Sequence, residues 1–133
     1  MQKYAAVLGL RAILSDHGQN DAPEKNGEAI FENYRTVIRQ ARADLGYPGL
    51  AVVVNRQTPY RRERQVRAAQ ERVIREIPNC FPGPDYDGLA DEDRPDGIHL
   101  GTTGLAKAAQ LWREAVSPDF LKTAPPFVPN RID

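Results

Sequence analysis

A carboxylate and an imidazole stand three residues apart in the segment Asp96-Gly97-Ile98-His99. At this spacing the carboxylate can fold back on the histidine ring in a tight turn, orient the ring and stabilise its cation. The other ring nitrogen then faces a nucleophile as a general base. The pattern predicts the acid–base pair of a hydrolase. A turn-forming Asp96 beside a surface His99 stays open as the alternative, because so short a motif recurs by chance.

A second polar segment, Gly18-Gln19-Asn20-Asp21, follows an apolar run. A glycine lets the backbone approach a ligand closely. The side-chain amide of Asn20 can donate to a developing oxyanion, and such a donor lowers a reaction barrier by about 2.7–4 kcal/mol. The segment therefore predicts an oxyanion-binding loop, with a turn that caps the next helix as the alternative.

These segments need a scaffold that brings their loops together, and hydrophobic patterning supplies its elements. Apolar and β-branched runs predict three strands: Leu10–Leu14 (buried), Leu50–Val54 with its three valines, and a short Cys80-Phe81. Apolar residues at spacings of three and four predict three helices: Glu28–Leu45, Arg62–Glu76 and Thr103–Val116. Asn26 or Gly27 is expected to cap the first helix and Thr102 the last.

The helical stripes also predict which side chains face inward. We expect Val37 of the first helix and Leu105 of the last to be among them. In the second helix we expect Val66, Ala69 and Val73 to face inward, with Gln70 interrupting the stripe.

Strands that alternate with helices predict an α/β domain with a parallel sheet covered by helices on both faces. Ligands bind such sheets beyond the carboxyl ends of the strands, where the polar loops of this chain follow. One domain is expected over residues 1–116, and a Pro-rich extension packed on the surface, irregular in structure, over residues 117–133.

The ordered motifs resemble those of a known superfamily. Gly18-Gln19-Asn20-Asp21 after a buried strand resembles the third conserved block of SGNH hydrolases, and Asp96-Gly97-Ile98-His99 before the final helix resembles the fifth. The likeness is closer to sialate O-acetylesterase-like carbohydrate esterases, and it covers nearly the whole chain in the family's order. It includes these further segments: residues 10–22, Asn33-Tyr34-Arg35, residues 42–46, the valine strand, Pro59-Tyr60, residues 66–70 and Gly104.

The resemblance implies a three-layer flavodoxin-like sheet that lacks its first strand–helix–strand unit. It implies deacetylation of a carbohydrate or another small ester, with no cofactor. His99 would be the base and Asp96 its orienting acid, while Asn20 and Gly18 would form part of the oxyanion hole. The substrate-binding loop would contain His17, Gln19 and Asp21. The family often has Gln-Gly-Glu where this chain has His17-Gly18-Gln19, so sugar specificity does not carry over.

The serine nucleophile of the family lies in a Gly-Asp-Ser block upstream of the part that this chain resembles. Ser15 stands where the family usually has an aromatic residue, Ser117-Pro118 is typical of a helix stop, and Cys80 is typical of a buried small hydrophobe. We therefore expect a fragment of a longer enzyme, a serine supplied by another chain, or an inactive remnant that serves as an interaction module. The Leu10–Leu14 strand would then be an exposed edge, which favours a homodimer or a complex with the missing N-terminal segment.

Composition and residue spacing limit the other functions that we considered. Lys plus Arg and Asp plus Glu number 18 each, so no global charge attracts nucleic acid or an anionic membrane. Seven arginines lie between Arg56 and Arg75, but nearby glutamates dilute them, and we predict no nucleic-acid binding. A metal site is a weaker alternative, with these candidate ligands but no supporting spacing: Asp16, His17, Asp21, Asp96 and His99. A single cysteine leaves the compartment open between the cytoplasm and secretion from a longer precursor.

Overall fold

The computed structural model describes residues 9–18, 26–59 and 63–124. Its centre is a three-stranded parallel sheet with the strand order β1-β2-β3. The strands are β1 (Ala12–Ser15), β2 (Ala51–Arg56) and β3 (Cys80–Asp85). In the register of the sheet, Val53 of β2 lies beside Leu14 of β1 and Phe81 of β3. The predicted α/β class with a parallel sheet is confirmed.

Helices follow each strand. They are α1 (Gly27–Asp44), α2 (Arg64–Glu76), α3 (Thr102–Ala115) and the short α4 (Pro118–Thr123). Two single 3-10 turns, Tyr86–Gly88 and Asp91–Asp93, lie in the connection between β3 and α3. Among the described residues, no helix combines the length and apolar character needed to cross a bilayer.

One face of the sheet is covered by α1 and α2. The valines Val52 and Val54 point to this face and join a buried cluster of helical side chains: Ile30, Phe31, Tyr34, Ile38, Val66, Ala69 and Val73. All of these side chains are buried and belong to one core cluster. Burying a Val, Leu, Ile or Phe side chain contributes about 1.5–3 kcal/mol, so this cluster is the main source of the domain's stability.

The opposite face is covered near β3 by the C-terminal helices. Side chains alternate along a strand, so Val53 and Phe81 point away from α1 and α2. The ring of Phe120 in α4 packs edge-on against Phe81, with the ring centroids 5.3 Å apart. Helices therefore lie on both faces of the sheet in the described part of the chain.

The third strand is longer than predicted, and the C-terminal segment contains a helix that was not predicted. The third strand runs to Asp85 and includes Pro82 and Pro84, which an edge strand tolerates because one side of its backbone donates no ladder bonds. Ser117 was expected to end a helix, and the residues after it were expected to be irregular. Its hydroxyl instead accepts a hydrogen bond from the Phe120 amide and begins α4. Residues 125–133 lie outside the described part of the chain.

Some helix caps and buried helix faces differ from those predicted from the sequence pattern. Asn26 caps α1 as predicted, and its side-chain oxygen accepts from the Ala29 amide at 2.8 Å. Thr102 was the wrong cap, because the N-cap of α3 is Gly101. Leu105 and Val37 were expected to face inward, but both are exposed. In α3 Ala108, a member of the predicted stripe, is buried, but Gly104 is buried in place of Leu105, so the buried face is rotated relative to that stripe.

The first strand differs from its prediction in position and in burial. It spans Ala12–Ser15 rather than Leu10–Leu14, and among the described strands it is the outer one, beside β2. Leu14 is 51% exposed rather than buried. An apolar side chain is therefore half exposed on the outer strand of the described sheet.

Candidate functional site

Asp96 and His99 meet in a tight turn between β3 and α3. The Asp96 Oδ2 atom lies 2.6 Å from Nδ1 of His99, while Oδ1 accepts from the backbone amides of His99 at 2.7 Å and Ile98 at 2.9 Å. Gly97 has a φ of +78°, a conformation that favours glycine, and this lets the turn close. The carboxylate is therefore held against the ring by side-chain and backbone contacts together.

These hydrogen bonds fix the charge of the pair. The bond from the His99 ring, followed by the two backbone amides, holds the pKa of Asp96 well below its usual range. An ionised carboxylate can only accept, so the proton between the two residues is on Nδ1 when the ring is neutral. The lone pair of the neutral ring is then on Nε2.

The ring of His99 is open to solvent. Its side chain is 80% exposed and that of Asp96 is 54% exposed. No hydrogen bond joins Nε2 to any residue in the described part of the chain. This nitrogen is therefore sterically available to an incoming molecule.

The loop that carries the pair is anchored on α3 through Asp93. The carbonyl of this fully buried residue accepts from the Gly101 amide at 2.9 Å, and its Oδ2 accepts from Lys107 at 2.8 Å. A Cβ on Gly104 would lie 2.5 Å from the same carbonyl oxygen. Glycine at position 104 therefore lets α3 approach the loop. This close approach is a structural reason for the glycine, which is also one of the residues on which the sequence resemblance rests.

The loop after β1 is clamped by side-chain amides. The His17 carbonyl accepts from Gln70 at 2.9 Å, from Gln57 at 3.2 Å and from the Tyr34 hydroxyl at 3.3 Å. The His17 amide donates to Asn55 Oδ1 at 3.2 Å. The backbone at the carboxyl end of β1 is thus fixed by residues from β2, α1 and α2.

Gly18 is buried against this clamp. Its φ is +144°, and a Cβ there would lie 2.9 Å from the amide nitrogens of both Gln57 and Gln70. This role of Gln70 was not predicted from the sequence. Its side chain is buried, and Oε1 also accepts from the backbone amide of Gln57 at 2.9 Å. A polar residue inside an apolar helical stripe was the available signal, since buried polar groups are normally hydrogen-bonded.

Asn55 completes the set of buried amides at this edge. It is fully buried, and its Nδ2 atom has no hydrogen-bond partner among the described residues. Buried donors are rarely left unpaired. An unpaired donor therefore lies where β2 ends.

A hydrogen-bonded chain links the first loop to α3. The Tyr86 hydroxyl donates to Asp16 Oδ2 at 2.7 Å and accepts from the Trp112 ring nitrogen at 2.9 Å. Burial and the Asp16 carboxylate raise the pKa of Tyr86. Tyr86 therefore stays protonated and ties the end of β1 to the helix that follows His99.

The other predicted residues are not all brought to one point. Gln19, Asn20 and Asp21 lie outside the described residues. His17 is at the end of β1 with an exposed side chain, and no described hydrogen bond joins it to His99. The described residues include no group of three or more side chains positioned to hold a metal ion.

Two of the three candidate nucleophiles are engaged in a cap or buried. Ser117 caps α4, whereas Ser15 is the partly exposed last residue of β1. Cys80 is buried, and this burial raises the pKa of its thiol. A buried, protonated thiol is a poor nucleophile.

The arginine-rich helix α2 is largely paired with carboxylates. Arg67 binds Asp85 with two bonds of 2.8 Å and also contacts Asp87 at 2.8 Å. Arg72 bonds to Glu28 and Glu76. These contacts join α2 to β3 and α1, so the positive charge has a structural role.

Fold and site together define an α/β domain with a three-stranded parallel sheet and an exposed Asp–His pair in the loop after its last strand. Comparison with protein-family models, curated proteins and solved structures found no match.

Proposed function

We propose that this chain is the part of an SGNH-type serine esterase that supplies the His–Asp pair and an oxyanion-hole asparagine. The contact that carries the proposal is the 2.6 Å hydrogen bond between Asp96 and His99, with Nε2 left open. In such an esterase a serine attacks the acyl carbonyl, His99 takes the serine proton, and Asp96 holds the ring and offsets its charge. Asn20 donates to the oxyanion.

The sheet supports the same proposal. The loop containing His17 and Gly18 follows β1, and the loop containing Asp96 and His99 follows β3. Parallel strands end at one edge of the sheet, where ligands bind in folds of this kind. The described strands would correspond to the last three of a flavodoxin-like sheet, and a strand bearing the serine would pair with the open edge of β1.

The proposed substrate is an O-acetylated carbohydrate or a similar small ester, as the resemblance implies. An exposed pair suits a substrate that is held mainly by other segments, because more than half of each side chain, His99 and Asp96, is open to solvent. The departure at His17-Gly18-Gln19 makes the acyl group a firmer expectation than the sugar.

The test is acetate release from an O-acetylated sugar by the protein as isolated from its cells, together with labelling by a fluorophosphonate that reacts with activated serines. We expect His99→Ala to abolish both acetate release and labelling. Gln40→Ala is the control, because Gln40 lies on the exposed surface of α1, where it bonds to Asp44, and its loss should leave labelling unchanged. Labelling that persists in His99→Ala would remove this residue from the mechanism.

The second candidate is an inactive SGNH-like module that binds a partner. The observation that favours it is that Nε2 of His99 has no hydroxyl partner in the described ranges. In that case Asp96→Ala leaves the function of the protein intact. Peptide mapping of the fluorophosphonate adduct separates the two candidates, since a module of this kind yields no labelled serine.

A further inference from the structure

The open pair has a second chemical capacity that needs no serine. A neutral imidazole with its proton fixed on Nδ1 carries its lone pair on Nε2, and histidine itself forms covalent intermediates in some enzymes. His99 meets this condition because Asp96 holds Nδ1 at 2.6 Å and the side chain is 80% exposed. An ester can therefore reach the nitrogen without displacing any described side chain.

We propose that the chain alone hydrolyses activated esters, such as aryl esters and thioesters, with His99 Nε2 as the nucleophile. This activity does not depend on the serine mechanism proposed above. It uses the same ring in a different role, and its substrates differ in their leaving group.

The Nε2 lone pair bonds to the acyl carbon, and the bond to the leaving oxygen or sulfur breaks with its electron pair, releasing an aryloxide or thiolate. The acylated ring is cationic, and its Nδ1 proton passes by way of Asp96 to water. Water then adds to the acyl carbon, and the carbon–nitrogen bond breaks with its electron pair passing to Nε2. One proton of this water restores the Nδ1–H of the neutral imidazole and the other goes to solvent, which leaves a carboxylate. The released aryloxide or thiolate takes up one proton, so the net reaction is ester plus water to carboxylate, one proton and phenol or thiol.

The leaving group sets the substrate class. When Nε2 adds to an ester, the tetrahedral intermediate expels the better leaving group. An aryloxide or thiolate leaves more readily than imidazole, whereas a sugar alkoxide leaves less readily, so a sugar acetate returns to the starting ester. The chain alone should therefore cleave p-nitrophenyl acetate and leave an O-acetylated sugar intact.

Two features of the turn favour His99 over an unassisted imidazole. The Asp96 carboxylate offsets the positive charge that develops on the ring, as a carboxylate does for a catalytic histidine. The turn also fixes the ring orientation through three contacts within four residues. Asp96→Asn should lower the rate, because an amide carries no charge and can donate to Nδ1, which favours the unproductive tautomer.

The experiment is multiple-turnover hydrolysis of p-nitrophenyl acetate by the purified chain, compared with His99→Ala and with Gln40→Ala, a change on the exposed surface of α1. Turnover is measured after the first equivalent, because lysines and the N-terminus are acylated once and do not release the acyl group. We expect loss of turnover in His99→Ala and retention in Gln40→Ala. Circular dichroism checks that each variant is folded, and His99→Gln serves as a second replacement of the exposed ring.

A trapping measurement identifies the nucleophile. Hydroxylamine should divert acetyl groups to acetohydroxamate without slowing nitrophenolate release, with His99→Ala as the background. Peptide mapping after a rapid quench should place the acetyl group on His99. An acetyl ester on Ser15, or turnover that His99→Ala does not reduce, would overturn the inference. The serine mechanism is judged separately, by fluorophosphonate labelling and by cleavage of the sugar acetate.

Discussion

Asp96 accepts three hydrogen bonds from residues that follow it within the same turn, and these bonds set its charge as well as the orientation of His99. The bond from the ring is the largest cause of its lowered pKa. Because the folded-state pKa is depressed, the stabilisation from this carboxylate is present above the unfolded value, about pH 3.9, and is lost as the pH falls through the folded value.

The first prediction concerns this carboxyl group. In His99→Ala the pKa of Asp96 should rise toward its ordinary value, but two backbone donors remain and should keep it depressed. NMR titration of the side-chain carboxyl carbon measures the change. His17→Ala is the control and should leave the Asp96 titration unchanged. An Asp96 titration identical in wild type and His99→Ala would show that the ring contact does not form in solution.

Gln70 is the second residue with a measurable consequence. Gln70→Ala removes the acceptor of the buried Gln57 amide and one donor to the His17 carbonyl. Leaving a buried group unsatisfied costs about 1–3 kcal/mol, so the free energy of unfolding should fall by at least that range. Urea denaturation measures it. Gln40→Ala is the matched control, because Gln40 lies on an exposed surface, where it bonds to Asp44, and its loss should change stability by less than about 0.5 kcal/mol.

At the scale of elements, the position of the helix α3 depends on the absence of a side chain at Gly104. Gly104→Ala places a Cβ 2.5 Å from the Asp93 carbonyl, a backbone atom that cannot turn aside. Alanine in a helix is ordinarily favoured over glycine by about 1 kcal/mol. We expect the opposite sign here, a loss of about 1–3 kcal/mol from overpacking, with a shift of the His99 ring resonances in NMR spectra.

Gly88→Ala is the control for that prediction. No atom lies within 4 Å of the Cβ it would add, and Gly88 has no positive φ. Its effect on the free energy of unfolding should stay within about 0.5 kcal/mol. Equal effects of the two alanines would mean that Asp93 does not hold α3 as described.

Elements of this chain differ in how far the sequence could predict them. Periodicity located α1, α2 and β2 to within about two residues, because their apolar faces pack on one continuous core. The Asp96–His99 contact was also predictable, since it forms within four residues and needs only a local turn. Local patterns are informative when the interaction that matters is itself local.

Contacts between distant segments could not be predicted from the sequence. The inward face of α3 follows from the Asp93 carbonyl against Gly104, so Leu105 was assigned to the wrong side. Gln70 looked like an interruption because its partners, Gln57 and His17, belong to other elements. The Asp16–Tyr86 link spans 70 residues and has no sequence signature. Tertiary contacts of this kind override local propensity.

At the scale of the whole molecule, the side of β1 away from β2 bears on assembly, because no described strand pairs with it. Leu14 is half exposed on the face that β1 shares with Val53 and Phe81. The Arg11 guanidinium bonds to the carbonyls of Leu121 and Ala124, so the end of α4 lies beside the start of this strand. Edge strands with exposed apolar side chains pair readily with another chain.

We therefore expect a homodimer, or a complex with a serine-bearing segment, that forms through β1. Leu14→Lys should abolish it, because a charged side chain on an edge strand disfavours pairing. Light scattering coupled to size-exclusion chromatography measures the mass. Leu105→Lys is the matched control, since Leu105 is 59% exposed on α3, away from the edge, and should leave the assembly unchanged. A wild-type protein that is monomeric at every concentration would contradict the prediction of a homodimer. A complex that forms equally with both lysine variants would place the contact on another surface.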